Sequence, residues 1–197
     1  MLRATQFAHE LIQQAVKPGD KVVDATVGNG HDTIFLARLV GESGRVWGFD
    51  IQHRALAEAA KRIGDMRQVT LLHAGHETLT AALSSYMNQP PLLSAVMFNL
   101  GYLPGADDGI KTRKNDNAPV ITEAKTTLAG LEQALTHLAP RGVMTMILYP
   151  GHKGGDEEAR AVRDYTSALP TYYEVNRFAR MNSANPAPEL IAIERLK

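Results

Sequence analysis

Apolar and polar positions along this chain follow two rhythms, and the switches between them mark out the elements. Phe7, Ala8, Leu11, Ile12, Ala15 and Val16 recur at helical spacing, so Met1 to Val16 reads as an amphipathic helix. Lys17-Pro18-Gly19-Asp20 has the residues of a turn, and Val22-Val23-Asp24-Ala25 then reads as a strand buried on both faces. A helix carrying Ile34, Phe35, Leu36, Leu39 and Val40 stops near Gly41, and a second strand runs from Arg45 to Asp50. His53 to Ile63 is helical with Gly64 as its cap, Val69 to His73 is the third strand, and a short helix ends around Tyr86. Asn88-Gln89-Pro90-Pro91 breaks the chain before a fourth strand, Leu92 to Leu100. Beyond the polar stretch Ala106 to Ala118, Pro119 stands at the first position of a helix. Its apolar stripe is Ile121, Ala124, Leu128, Leu131, Leu135 and Leu138. A fifth strand at Gly142 to Leu148 and a helix from about Asp156 to Leu169 follow. Strands at Tyr172 to Phe178 and Glu189 to Arg195 flank the loop Ala179 to Pro188.

Five strands alternating with helices predict a parallel sheet covered on both faces. The final two strands join without a helix, so the last is expected to be antiparallel. That pattern describes an α/β three-layer sandwich around a seven-stranded, mostly parallel sheet, the Rossmann-like architecture of class I methyltransferases. A ligand then belongs beyond the carboxyl ends of the strands, at the point where strand order reverses. The unusual stretches of this sequence fall at such ends, after strands one to five. No repeat or linker divides residues 1–197, so a single domain is expected.

Composition narrows the chemistry. The chain has no cysteine, which removes disulfides, thiolate metal sites and a thiol nucleophile. Its seven histidines lack the spacing of a metal site. Lys plus Arg and Asp plus Glu number 21 each, so a nucleic-acid partner would need a local basic patch. No apolar run approaches the roughly 20 residues that span a bilayer, and a cytoplasmic protein without a membrane partner is expected. The apolar stripes of the first helix and of Leu128 to Leu138 would serve a homodimer or a core equally well.

Lys21 to Asp32 has the order strand, glycine turn, helix start, which makes a nucleoside site. A dinucleotide fingerprint wants a third glycine three residues after Gly30, where this chain has Thr33. An acid ending strand one, followed by glycines, is the layout of S-adenosylmethionine sites, and Asp24, Gly28 and Gly30 match it. The glycines would let the backbone approach the methionine portion. Asp50, 20 residues past Gly30, is placed for both ribose hydroxyls, or else for capping the helix that starts near His53. Asn29 and Asp32 either contact the cofactor or cap the first helix of the sheet. Gly75 and His76 end strand three, where such enzymes hold adenine; a histidine there can also be structural.

The stretches Asp24-Ala25-Thr26-Val27-Gly28-Asn29-Gly30-His31-Asp32-Thr33, Gly48-Phe49-Asp50-Ile51-Gln52, Phe98-Asn99-Leu100-Gly101-Tyr102-Leu103-Pro104-Gly105 and Tyr149-Pro150-Gly151-His152 occur together. In combination they resemble one bacterial methyltransferase family, long called putative rRNA methylase, over essentially the whole chain. The resemblance implies a tRNA 5-aminomethyl-2-thiouridine methyltransferase, with S-adenosylmethionine as cofactor and a tRNA anticodon stem-loop as partner. By position it implies cofactor contacts at Asn29, His31, Asp32, Asp50, Gln52, Gly75 and His76.

The residues allow a chemical test of that implication. Asn99-Leu100-Gly101-Tyr102 has the spacing of the Asn-Pro-Pro-Tyr box of methyltransferases acting on exocyclic amines. The asparagine oxygen would accept the amine's N–H, aiming its lone pair at a methyl group about 3 Å away. Tyr102 would stack on the base, a contact of about 1–3 kcal/mol. Leu100 and Gly101 in place of two prolines make a roomier turn, which suits a mobile aminomethyl group. His152 is the candidate base by type and location. The competing structural readings are an asparagine that satisfies its own turn, a rim tyrosine and a loop histidine. Lys111, Arg113, Lys114, Lys153, Arg177 and Arg180 are candidates for gripping RNA phosphates. The other functions open at this point are an rRNA or small-molecule amine methyltransferase, a nicotinamide enzyme, and a non-catalytic binding module.

Overall fold

The computed structural model describes residues 3–86, 91–101, 123–151 and 154–197. In chain order the elements are α1 (Ala4–Ala15), β1 (Lys21–Asp24), α2 (His31–Val40), β2 (Arg45–Asp50), α3 (His53–Ile63) and β3 (Val69–His73). A 3-10 turn (His76–Thr78) leads into α4 (Leu79–Tyr86), followed by β4 (Leu93–Leu100), α5 (Ala124–His137), β5 (Leu138–Leu148), α6 (Gly155–Ser167), β6 (Tyr173–Phe178) and β7 (Glu189–Arg195).

The seven strands form one sheet in the order β3-β2-β1-β4-β5-β7-β6. β1 to β5 pair in parallel, and β7 is antiparallel to both of its neighbours. The expected antiparallel last strand is therefore present, lodged between β5 and β6. β6 consequently runs the same way as β5. Phe178 ends β6 and Glu189 opens β7 level with Leu148, at the edge where β1 to β5 end.

Period-two alternation divides the core. Val22, Val46, Ala95, Met97, Ile147 and Leu190 pack with Ala8 and Ile12 of α1 and Leu36, Ala37 and Val40 of α2. Their strand neighbours Val23, Trp47, Phe49, Val96, Phe98, Met144 and Met146 face α4, α5 and α6. α3 lies on the first side through Val27, Leu56, Ala59 and Ile63. The sheet is thus sandwiched between two helical layers. Among the described residues no helix is long and apolar enough to cross a membrane.

Two boundaries differ from the sequence reading. α5 begins at Ala124 with Glu123 as its extended N-cap; Pro119 and Ile121 lie outside the described residues. Leu138, read as the last member of the helical stripe, instead caps α5 and opens β5. The pairing jumps from Leu93↔Leu138 to Ala95↔Val143, so the residues between loop out of register. Arg141 takes a φ of 65°, and a Cβ on Gly142 would fall 2.9 Å from the Leu93 carbonyl oxygen. Leu138 is buried either way, which is why the stripe ran one residue too far.

Candidate active site

The chain leaves β1 straddling its two neighbours. The Ala25 N–H donates to Met97 O of β4 at 2.8 Å, and the Val27 N–H to Phe49 O of β2 at 3.0 Å. β1 is where the strand order reverses, so this segment sits at the predicted switch point. Gly28 and Gly30 have φ of 50° and 80°, a region that side chains disfavour. Gly30 also sits so close to α3 that a Cβ there would lie 3.0 Å from the Ala59 Cβ.

Three aspartates surround this turn. Asp24 is 1% exposed and accepts hydrogen bonds from the Thr26 N–H (3.1 Å) and the Thr33 hydroxyl (2.6 Å). Burial pushes its carboxyl up to about 7, and the nearby charges of Asp32 and Asp50 act the same way. Asp50 accepts the Gly28 N–H on Oδ2 and the Gln52 N–H on Oδ1, both at 2.8 Å. It therefore ties the glycine turn to the end of β2. It is not the cap of α3, whose N-cap is Gln52. Asp32 lies in the first turn of α2 and holds His9 Nε2 of α1 at 2.7 Å, and the His9 ring stacks on Phe35 at 4.0 Å. Gly30 is the N-cap of α2 and no side chain caps it, so the capping readings of Asn29 and Asp32 fall away. The half-buried side chains of Asn29 and Gln52 carry no hydrogen bond among the described residues.

Two further candidates sit differently. His31 is exposed, with Nε2 3.5 Å from Arg62 Nη1 of α3. Its imidazole is thus turned along the outer rim. Gly75 is buried, and its carbonyl accepts the Thr78 hydroxyl at 2.8 Å. His76 is 7% exposed and donates from Nδ1 to Ala25 O at 3.2 Å, clamping the end of β3 to that of β1. Its ring meets Phe98 edge-on, and Gly130 of α5 leaves room for it: a Cβ there would come within 2.5 Å of His76 Cδ2. Burial lowers the imidazole pKa, so the ring is held neutral.

At the other side of β1, the end of β4 presents Asn99. Alternation places it with Ala95 and Met97, toward α1. Its N–H donates to Thr26 Oγ1 at 2.7 Å, locking β4 to the glycine turn. Its side-chain amide lies beside the Tyr149 hydroxyl, just past β5. Burial and then the Asp32 charge raise the Tyr149 pKa, while the Asn99 amide opposes them, as a donor to the phenol oxygen does. The Tyr149 ring lies against Gly101, where a Cβ would be 3.0 Å from Cδ2. Tyr102, His152, Lys111, Arg113, Lys114 and Lys153 lie outside the described residues.

Four site residues escaped the sequence reading: His9, Thr26, Thr33 and Tyr149. Tyr149 stood inside the Tyr-Pro-Gly-His stretch and two residues past the inward Ile147, so its face was readable. Thr33 was used only against a dinucleotide fingerprint; its hydroxyl in fact anchors Asp24.

Residues 46–194 match the sequence model of the family described as "Putative rRNA methylase". The chain belongs to this family. The crystal structure of a "putative rRNA-methylase" from Clostridium thermocellum is 38% identical, with a TM-score of 0.86 over 99% of this chain and 98% of that one. A Streptococcus mutans methyltransferase in complex with SAH is 30% identical, with a TM-score of 0.83 over 100% and 99%. An Arabidopsis thaliana chloroplastic tRNA (mnm(5)s(2)U34)-methyltransferase is 33% identical over 85% of this chain, which spans 60% of that relative. Residues 3–77 alone also match a model for protein-L-isoaspartate(D-aspartate) O-methyltransferase. The segment carrying the glycine turn and Asp50 thus resembles that of a protein O-methyltransferase family as well.

S-adenosylmethionine is the cofactor of this fold family, and the residues present fit it. Two glycines with positive φ open the backbone, and the Asp32 and Asp50 carboxylates beside them suit a ligand with sulfonium and ammonium charges. Asp50 uses each oxygen once, which leaves lone pairs for ribose hydroxyls.

Proposed function

We propose that this chain methylates the aminomethyl nitrogen of 5-aminomethyl-2-thiouridine at the tRNA wobble position, giving 5-methylaminomethyl-2-thiouridine. The observation that carries the reading is the convergence of Asn99, Tyr149 and Asp32 beside the glycine turn. The name of the chloroplast relative supports this choice of acceptor.

When bound, the cofactor supplies an electrophilic methyl group on a sulfonium. Asp50, Gly28, Asn29, Gly30, Asp32 and Gln52 form its cradle in this reading, with backbone of His31, Gly75 and His76 along the rim. Ile51, 56% exposed beside Asp50, offers an apolar surface for the adenine. The Asn99 amide lies beside the Tyr149 hydroxyl, and in this reading its nitrogen faces the phenol while its oxygen accepts an N–H of the substrate amine. Thr26 fixes the backbone from which that oxygen projects. Orientation of this kind is worth several orders of magnitude in effective concentration. The substrate's ammonium form has no lone pair and must lose a proton. Asp32, hydrogen-bonded to the part-exposed His9, is a carboxylate at hand to pass it outward. Tyr102 and His152 remain the stacking and base candidates within this proposal, and the anticodon stem-loop its partner. An rRNA amine is the second reading, favoured by the family's description.

The test is incubation with labelled cofactor and tRNA lacking the terminal methyl, followed by nucleoside mass spectrometry. The expected product is 5-methylaminomethyl-2-thiouridine. Label appearing only in ribosomal RNA, or in no nucleoside, overturns the tRNA assignment.

A further inference from the structure

A cavity of about 320 Å³ opens between the loop 179–188 and the residues that follow β5. Its charged lining consists of Arg163 from α6, Arg177 from β6, Arg180 from the loop and Glu189 from the start of β7. Three guanidiniums against one carboxylate leave it doubly positive, in a chain whose net charge is zero. Arg163 is far from the other two in sequence, so only the fold reveals the cluster.

The arrangement is built around Glu189. That carboxylate is 2% exposed and accepts Arg163 Nη1 on one oxygen and Arg177 Nε, at 2.6 Å, on the other. A buried carboxylate paired on both sides fixes the planes of the two guanidiniums more than it adds stability. Arg177 is engaged through Nε alone, so its two terminal nitrogens carry no hydrogen bond among the described residues. Arg180 stands outside the pairing. The cleft therefore presents oriented planar donors and an excess of positive charge, the requirements for gripping phosphate oxygens.

Its position matters as much as its charge. Pro150 lines the cleft and directly follows Tyr149, which lies beside Asn99. Gly151 and Pro186 approach so closely that a Cβ on Gly151 would lie 2.6 Å from the proline ring. The wall of the cleft and the acceptor end of the site are thus in direct contact. We propose that this cleft binds a backbone phosphate of the RNA substrate close to the nucleotide being methylated. The inference rests on the reading of the acceptor as RNA. In a loop whose bases are already unstacked, such a contact sets the register while other groups read the base.

Arg180→Glu is the primary variant, because it leaves the Arg163–Glu189–Arg177 pairing intact. Arg177→Lys is the second; it keeps the charge and removes the planar fork. Each is measured, beside the wild type, for binding to a tRNA anticodon stem-loop across a salt series and for cofactor affinity by calorimetry. Arg180→Glu should weaken RNA binding by on the order of tenfold and lower the slope of log K against log salt by about one. Arg177→Lys should weaken binding while keeping the slope, and both should bind cofactor as wild type does. Wild-type RNA affinity and slope in both variants overturn the phosphate site, and tRNA methylation by the wild type leaves the acceptor reading standing in that case. Arginine-dependent binding without methylation of tRNA keeps the cleft and overturns the acceptor. A wild type that binds no RNA at all overturns both.

Discussion

Asp24→Asn isolates a buried acid whose charge the apo fold resists. Asp24 is 1% exposed, and burial, reinforced by Asp32 and Asp50, raises its carboxyl from 3.8 to about 7. The folded state therefore holds a proton that the unfolded chain releases. The resulting stabilisation is fully present below pH 3.8 and is lost as pH rises through about 7. Between pH 5 and pH 8 the loss amounts to about 2.6 kcal/mol, at 1.36 kcal/mol for each pH unit between 5 and the folded pKa. Asparagine is nearly isosteric. Its oxygen can still accept the Thr26 N–H, and its nitrogen can donate to the Thr33 hydroxyl, but it has no proton to lose. Urea unfolding of the apo wild type and of Asp24→Asn at pH 5 and pH 8 measures the difference and cancels other titrating groups. Relative to the variant, the wild type should lose stability over that interval. Parallel behaviour, within about 0.5 kcal/mol, would refute the reasoning that Asp24 is protonated in the apo fold.

Three other substitutions probe the scaffold. Thr26→Val removes the acceptor of the part-buried Asn99 N–H and should cost about 1 kcal/mol in chemical denaturation. Tyr149→Phe removes the hydroxyl beside the Asn99 amide and should lower kcat about tenfold in single-turnover assays, with cofactor affinity unchanged. Gly30→Ala forces a side chain into φ 80° against Ala59 and should lower both thermal stability and cofactor affinity, as read by thermal shift with and without cofactor.

Elements marked by strong local punctuation were legible to the residue. Asp50 ends β2 where the sequence reading ended it, and Gly64 caps α3 as expected of a glycine there. Boundaries blurred where two rhythms share a buried residue. Leu138 fits the helical stripe of α5 and the interior of β5, and only the pairing with Leu93 decides. At the strand ends, Asp50 and Asn99 stand where the sequence placed them, because an acid or asparagine there stands out. What those groups hold was not legible. Asp50 accepts backbone N–H groups 22 residues back and two ahead, and Asp32 meets His9 across helices. Sequence distance hides such contacts. The same limit concealed Arg163, which α6 brings to the β6–β7 loop.

In the proposed function donor and acceptor are handled separately: the glycine turn and Asp50 would hold the cofactor, and the ends of β4 and β5 would choose what is methylated. Asn99→Ala tests that division most directly, with cofactor affinity and single-turnover methyl transfer measured on one preparation. Affinity should match the wild type while transfer falls by about 10² to 10³, the scale of losing an orienting hydrogen bond in the transition state. Transfer at the wild-type rate would contradict the account, as would a loss of cofactor affinity that explains the whole defect.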